Sequence, residues 1–360
     1  MNDAERRQEG VLAAMAAQGL GAMLVTDLVN VRYLTGYVGS NGTAILAPER
    51  RLLFTDSRYV VAARTQTRGV DVVEAGRDLH ERLVGTLQEL ASGGRVGFEA
   101  DNVTVSRHQR LAESLTGVEL VATSGLVEAL RVRKDPEEVA RMREAAEIAD
   151  RAYAAIADGL IDGRTEREVA WELEGIMRRA GAEAASFPII VAGGEHGALP
   201  HAVPRPEPVP RGTLVVVDLG ALVDGYASDC TRTFATGDIP AELERAYEVC
   251  LDAQRAAVAA VRPGITCGDL DSVARERIQA AGLGEAFGHG LGHGVGLQIH
   301  ERPWVRPGIE DVLEPGMALT IEPGIYLEGL GGVRIEDLVV VGDEDPDVLT
   351  SFPRNLARVG

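Results

Sequence analysis

Cysteine is scarce: three in 360 residues, Cys230, Cys250 and Cys267. Thiols so few and so scattered cannot form a disulfide framework or a zinc knuckle, so they read as buried and reduced. Positive charge is also short. Lys and Arg number 36 against 55 Asp and Glu, a formal net charge of −19, which argues against a phosphate backbone and so against nucleic acid as partner. No stretch reaches the roughly 18 uninterrupted apolar residues of a membrane helix, and the opening MNDAERRQEG lacks the apolar core of a signal peptide. A cytoplasmic protein with no membrane partner is expected. A phosphate loop and a dinucleotide fingerprint are missing as well, which leaves a nucleotide-binding reading of any α/β segment without support.

What is present is alternation. The apolar runs AMLVT, TAILA, RLLFTD and VGFEA in the first 130 residues are separated by helix-like stretches at 3–18, 57–66, 78–91 and 104–115, an α/β pattern. At roughly 100 to 200 residues per domain, the length predicts two domains. A boundary is legible at Lys134, Asp135 and Pro136: Asp135 caps a helix, Pro136 suits its first turn, and Glu138 completes a capping box. A second box opens at Thr165 and Glu168. After it come an apolar strand, FPIIVAG, a proline-rich connection and the hairpin LVVVDLGALVDGYASDCTRTF. The order then recurs, with helices at 240–261 and 267–281, a glycine-rich strand around His289, and strands ending in Glu322 and Glu336. Two helices succeeded by acid-bearing strands, twice over, predict a duplicated half-domain with the acids at its seam.

Those acids are the most informative residues. Asp218, Asp229, Glu322 and Glu336 each stand in an apolar or glycine-rich run, where an ionised carboxylate must be paired, hydrogen-bonded or bound to metal. Asp224-Gly225 is a turn signal that would set Asp218 and Asp229 on neighbouring antiparallel strands. GHGLGHGVGLQIHERP supplies His289, His293 and His300. Its glycines make a helix improbable, and in an extended chain His289 and His293 share a face, while the alternate glycines let another backbone or a substrate approach. Arg334, two residues before Glu336, is placed to orient a carboxylate ligand. Four acids converging with a histidine need positive charge; two divalent cations, with a hydroxide as nucleophile, would meet that need. Carboxylate-rich ligation without thiolate suits Mn²⁺, Co²⁺ or Zn²⁺. A single-iron oxygenase site would leave three acids unexplained.

The assembled motifs DLG…GYASDCTRT, HGLGHGVGLQIHERP, TIEPGIY and GGVRIED resemble the pita-bread metallopeptidases, within them the Xaa-Pro peptidase branch of aminopeptidase P and prolidase. NVRYLTGYVGSNGTAIL followed by LLFTDSRY is similar to the creatinase-type domain of that branch, closer to bacterial aminopeptidase P. The resemblance spans nearly the whole chain. It implies an α/β creatinase-type domain over 1–130 and an α+β pita-bread catalytic domain over 131–360 with internal pseudo-twofold duplication. By the same resemblance Asp218, Asp229, His293, Glu322 and Glu336 are the ligands of a centre of two divalent ions, Mn²⁺ foremost. Glu322 also carries protons, His300 steadies the oxyanion, His201 and His289 line the substrate side, and Arg334 lies behind the site. The implied substrate is a peptide with proline at its second position. The implied activity is that of an Xaa-Pro aminopeptidase, with an Xaa-Pro dipeptidase as the alternative, and the implied assembly a homodimer. Methionine aminopeptidase lacks the first domain, and a pita-bread binding module would have lost ligands that are all present here.

Overall fold

The computed structural model describes residues 3–91 and 94–359. Residues up to Arg131 and those from Val132 onward form separate compact units. The first contains a six-stranded mixed sheet ordered 71–74, 51–55, 43–46, 22–25, 95–99, 119–123. Strand Ala22–Val25 runs antiparallel to Thr43–Leu46 and parallel to Arg95–Glu99. Helices Asp3–Ala17, Val60–Gln66, Leu79–Leu90 and Val105–Ser114 fall where periodicity places them. Helix Leu28–Thr35 has no counterpart among the expected elements; Asp27 caps its start, and Gly36, in the left-handed conformation, ends it.

The second unit contains two helix pairs, each packed on its own strands. Helix Pro136–Ala157 begins with the expected capping box at Asp135 and Glu138. It pairs with Glu166–Arg179, and together they bury Ala149, Tyr153, Leu173 and Met177 against Val215 and Val217. Helices Ala241–Ala260 and Cys267–Ala280 likewise bury Tyr247, Ala257 and Ala274 against Leu319, Ile321, Ile335 and Val339. Strand alternation then decides where the acids go. In Leu214–Leu219 the residues Val215, Val217 and Leu219 face the helices, so Asp218 faces away from them. Ile335 packs on the helix side, and Asp337 reaches Gln254 of helix Ala241–Ala260, so Arg334 and Glu336 share the opposite face. Helix–helix–strand order therefore occurs twice, and each copy directs Asp218 or Arg334 and Glu336 to the face its helices leave open, while Arg232 and Asp337 pair on the helix side.

One local expectation is corrected. The glycine-rich segment forms only a three-residue strand, Gly292–Gly294, and His289 precedes it in irregular chain. The glycines answer to backbone proximity: a Cβ on Gly292 would lie 2.0 Å from the Thr320 carbonyl oxygen, and one on Gly294 2.1 Å from that of Arg302. Among the described residues no helix is long and apolar enough to cross a membrane.

Candidate metal centre

Asp218 pairs in register with Thr231 across the strands Leu214–Leu219 and Cys230–Ala235, and Asp229 immediately precedes the second. Asp224 and Gly225, both at positive φ, make the expected turn, which joins the intervening short strands Ala221–Val223 and Tyr226–Ala227. Glu322 comes directly after strand Ala318–Ile321, where its N–H donates to Leu291 O at 2.8 Å. The Glu336 N–H donates to Thr231 O at 3.1 Å, fastening the second set of strands to the first.

These elements bring all nine singled-out residues to one cavity of about 550 Å³: Asp218, Asp229, His293, Glu322 and Glu336, with His201, His289, His300 and Arg334. Phe187, Ile190, Ile299 and Trp304 form its apolar wall. Ligand atoms of Asp229, His293 and Glu336 lie within 4.8 Å of one another. His293 Nε2 is 3.6 Å from Asp229 Oδ2 and 3.2 Å from Glu322 Oε1. Its Nδ1 lies 3.1 Å from the Gly294 carbonyl, which only accepts, so Nδ1 carries hydrogen and Nε2 is the nitrogen presented to the carboxylates.

Charge in the cavity is unbalanced. Four carboxylates share it with two arginines, the exposed Arg306 and the buried Arg334, and Arg334 Nη2 donates to Asp218 Oδ2 at 2.7 Å. Arg334 thus orients Asp218, not the nearer-in-sequence Glu336, which is held by Thr231 Oγ1 at 2.7 Å. Burial, and after it the neighbouring Asp218 charge, holds the Asp229 carboxyl well above its ordinary range. Burial and then Asp229 do the same to Glu336. Burial also raises Asp218, against the pull of Arg334. Burial opposes charge on His293 too, yet its hydrogen bond to Glu322 lifts it to about 9. Glu322, despite a burial that favours the neutral acid, is held at about 2 by His293. Asp218 Oδ1 and Glu336 Oε1 are buried without a hydrogen-bond partner. Two unpartnered carboxylate oxygens, an inward imidazole nitrogen and excess negative charge make a donor set that fits divalent cations with oxygen and nitrogen preference.

Around this set runs a chain of hydrogen bonds that sequence reasoning missed. Arg334 Nη1 donates to Tyr326 Oη at 2.9 Å and to Pro200 O at 3.1 Å, the residue before His201. Tyr326 Oη lies 3.0 Å from His289 Nε2. His289 Nδ1 faces the Gly290 carbonyl at 2.8 Å, so Nε2 accepts from Tyr326. Thr320 Oγ1 donates to Glu322 Oε1 at 2.9 Å and accepts the His293 N–H at 3.0 Å. His300 packs edge-on to His293, ring centroids 4.3 Å apart. Tyr326 had a signal, since it ends the motif TIEPGIY; Thr231 and Thr320 had none beyond strand composition. Glu301, beside His300, is a buried partner of Lys134 Nζ at 2.7 Å.

The model of Metallopeptidase family M24 matches residues 140–343, and that of the Creatinase/Prolidase N-terminal domain matches 7–133. The chain belongs to family M24. An Xaa-Pro dipeptidase of Pyrococcus furiosus is 37% identical over 354 residues, 98% of this chain and 99% of that protein. The solved Xaa-Pro dipeptidase from Bacillus anthracis superposes with a TM-score of 0.95 at 38% identity, covering 99% of this chain and 100% of the other. The X-Pro aminopeptidase from Thermotoga maritima gives 0.90 at 35% identity, over 96% of this chain and 100% of that one. This M24 protein is a metallo-exopeptidase of the Xaa-Pro peptidase branch, with a creatinase N-terminal domain and a pita-bread catalytic domain.

Proposed function

We propose that this M24 peptidase is an Xaa-Pro dipeptidase, hydrolysing the bond between a first residue and a carboxy-terminal proline. The observation that carries the reading is the set of three buried carboxylates, the partly buried Glu322 and His293 in one cavity, on a chain aligned nearly end to end with dipeptidases. The relatives shift the balance from the aminopeptidase expected from sequence to its dipeptidase alternative. The Thermotoga maritima structure keeps the aminopeptidase as second reading.

In this proposal Asp218, Asp229, His293, Glu322 and Glu336 hold two divalent ions, Mn²⁺ first and Co²⁺ or Zn²⁺ as substitutes. Bound there, the ions would polarise the scissile carbonyl and lower the pKa of the attacking water. Glu322, its Oε1 steadied by Thr320 Oγ1, takes the water's proton and passes it to the leaving proline nitrogen. His300 donates to the oxyanion, and His201 and His289 position the substrate. Asp218 faces the substrate's amino terminus, which limits cleavage to the first bond. A proline nitrogen has no hydrogen to offer, so no enzyme group need accept one. A homodimer and a cytoplasmic setting complete the proposal; three buried free thiols support a reducing environment.

The test compares turnover of Xaa-Pro with Xaa-Pro-Xaa on manganese-loaded protein, alongside metal analysis. Faster hydrolysis of the dipeptide, about two ions per chain and loss of both in Asp229→Ala support it. Preference for the tripeptide would restore the aminopeptidase reading, and full activity in Asp229→Ala and Glu322→Ala would refute the site.

A further inference from the structure

The amino-terminal unit has a pocket of its own, about 500 Å³, unconnected with the metal ligands. It lies between the loop at Ser40–Thr43 and the helices Leu79–Leu90 and Val105–Ser114. Its charge is the reverse of the chain's. Although acids outnumber bases by 55 to 36, no lining residue is acidic, and Arg77, Arg107, Arg110 and His80 all line it. Among the described residues none of these three arginines forms an ion pair. Arg107, the most enclosed, reaches only Thr43 Oγ1 at 3.3 Å. The carboxylate that acts on it, Glu99, has its oxygens committed to the Asp27 N–H at 2.7 Å and Asn30 Nδ2 at 2.8 Å. Burial weakens the charged form of Arg107. Burial, and after it the Arg110 charge, lowers the affinity of His80 for a proton, with Glu81 opposing and Arg107 adding to the effect.

We infer that this pocket binds a small phosphate monoester. Three arginines lining one pocket with the hydroxyl residues Thr43 and Ser106, Arg107 half-buried and Arg77 and Arg110 at its exposed side, offer donors suited to a tetrahedral dianion. Leu28, Leu79, Leu83 and Leu111 floor the remaining space, which exceeds what free phosphate needs and receives the organic part. Nothing in peptide hydrolysis calls for such a site, so the ligand is an effector or a stabiliser of this unit and is independent of the peptidase assignment.

Isothermal titration of the full-length, manganese-loaded protein with glycerol 3-phosphate, inorganic phosphate and succinate, at matched ionic strength, tests it. One saturable event is expected, tightest for the ester, weakened about tenfold in each of Arg107→Gln and Arg110→Gln, as for loss of one charge-assisted hydrogen bond. The exposed Arg64→Gln and the metal-centre variant Asp229→Ala should bind as the parent does. Absence of saturable heat, unchanged binding in both pocket variants, loss of binding in Asp229→Ala, or tighter binding of succinate or free phosphate than of the ester each overturns the inference. The peptidase reading would survive all four.

Discussion

Glu166 is fully buried at the start of helix Glu166–Arg179, and one carboxylate there ties together a loop that includes His201. Its oxygens accept from the Gly193 N–H at 3.0 Å, His196 Nδ1 at 2.9 Å, the Arg205 N–H at 2.9 Å and Arg205 Nη2 at 3.1 Å. Residues 193 to 205 are thus gripped at both ends, and Pro200, His201, Ala202 and Val203 between them line the cavity. Glu166→Gln keeps the shape and removes the charge. A neutral acceptor gives roughly half the hydrogen bond of an ionised one, and the amide NH2 that replaces the second oxygen accepts nothing, so the loss is at least about 1 kcal/mol at each of the two backbone N–H groups and at His196. The Arg205 side chain is 42% exposed, so its share is within about 1 kcal/mol. The sum, at least about 3 kcal/mol, lowers the melting temperature of the carboxy-terminal unit by at least roughly 6–12 °C at pH 7. Displacement of the His201 loop lowers kcat/KM by roughly tenfold.

The pH dependence has a definite sign. Burial raises the Glu166 pKa, but the hydrogen bonds of Arg205 and Gly193 outweigh it and the folded value lies below the ordinary 4.5. A depressed folded pKa gives stability that is present above the unfolded value and lost as pH falls through the folded one. The melting gap between the parent and Glu166→Gln should therefore be full at neutral pH and narrow once pH drops below 4.5. Scanning calorimetry across that range measures it. Equal melting temperatures at pH 7, or a gap that does not narrow in acid, would show that the carboxylate does not grip this loop.

Gly292→Ala, whose Cβ would meet the Thr320 carbonyl oxygen at 2.0 Å, should melt at least 1–3 kcal/mol less stably, whereas Gly288→Ala, with open space around it, should be near neutral; paired thermal melts decide. Burial raises all three thiols, Cys250 to about 12, Cys267 to about 11 and Cys230 well above its ordinary value. A thiol reagent at pH 8 should therefore label none in native protein and all three in denaturant. Arg334→Lys keeps a charge but loses the planar fork that holds Asp218, Tyr326 and Pro200. It should lower kcat/KM by about 10–100-fold while metal analysis changes little; parental kinetics would refute the orienting role.

Period and capping account for the features that are legible in the sequence. The box at Asp135 and Glu138, the turn at Asp224-Gly225 and the acids in apolar runs are local signals whose geometry needs no distant partner. Strands Asp71–Glu74 and Glu119–Thr123 went unread because they are the sheet's edges and leave about half their residues to solvent, so no apolar run marks them. Helix Leu28–Thr35 has only eight residues and five of them are buried, which erases the amphipathic period. In the site, chain proximity misled: Arg334 is two residues from Glu336 yet pairs with Asp218, 116 residues away. Side-chain hydroxyls of strand threonines carry no sequence mark that separates Thr231 and Thr320 from any other buried threonine.

That long-range pairing explains why the acids sit at a seam. The first half of the catalytic unit supplies Asp218 and Asp229, the second His293, Glu322 and Glu336. Glu322 finds His293 and Thr320 within its own half, but Asp218 and Glu336 do not find their partners at home. Asp218 depends on Arg334 of the second half, and Glu336 on Thr231 of the first, through both side chain and backbone. Thr233 adds two more bonds across the same line, donating to the Arg334 carbonyl and accepting its N–H. A buried charge whose partner lies on the other half makes correct docking of the halves and formation of the ligand set one event, because misdocking strands unpaired charge at several kcal/mol each. The cost of gathering four carboxylates is thus met partly by the fold and partly by whatever cations the cavity binds, and each contribution presupposes the other.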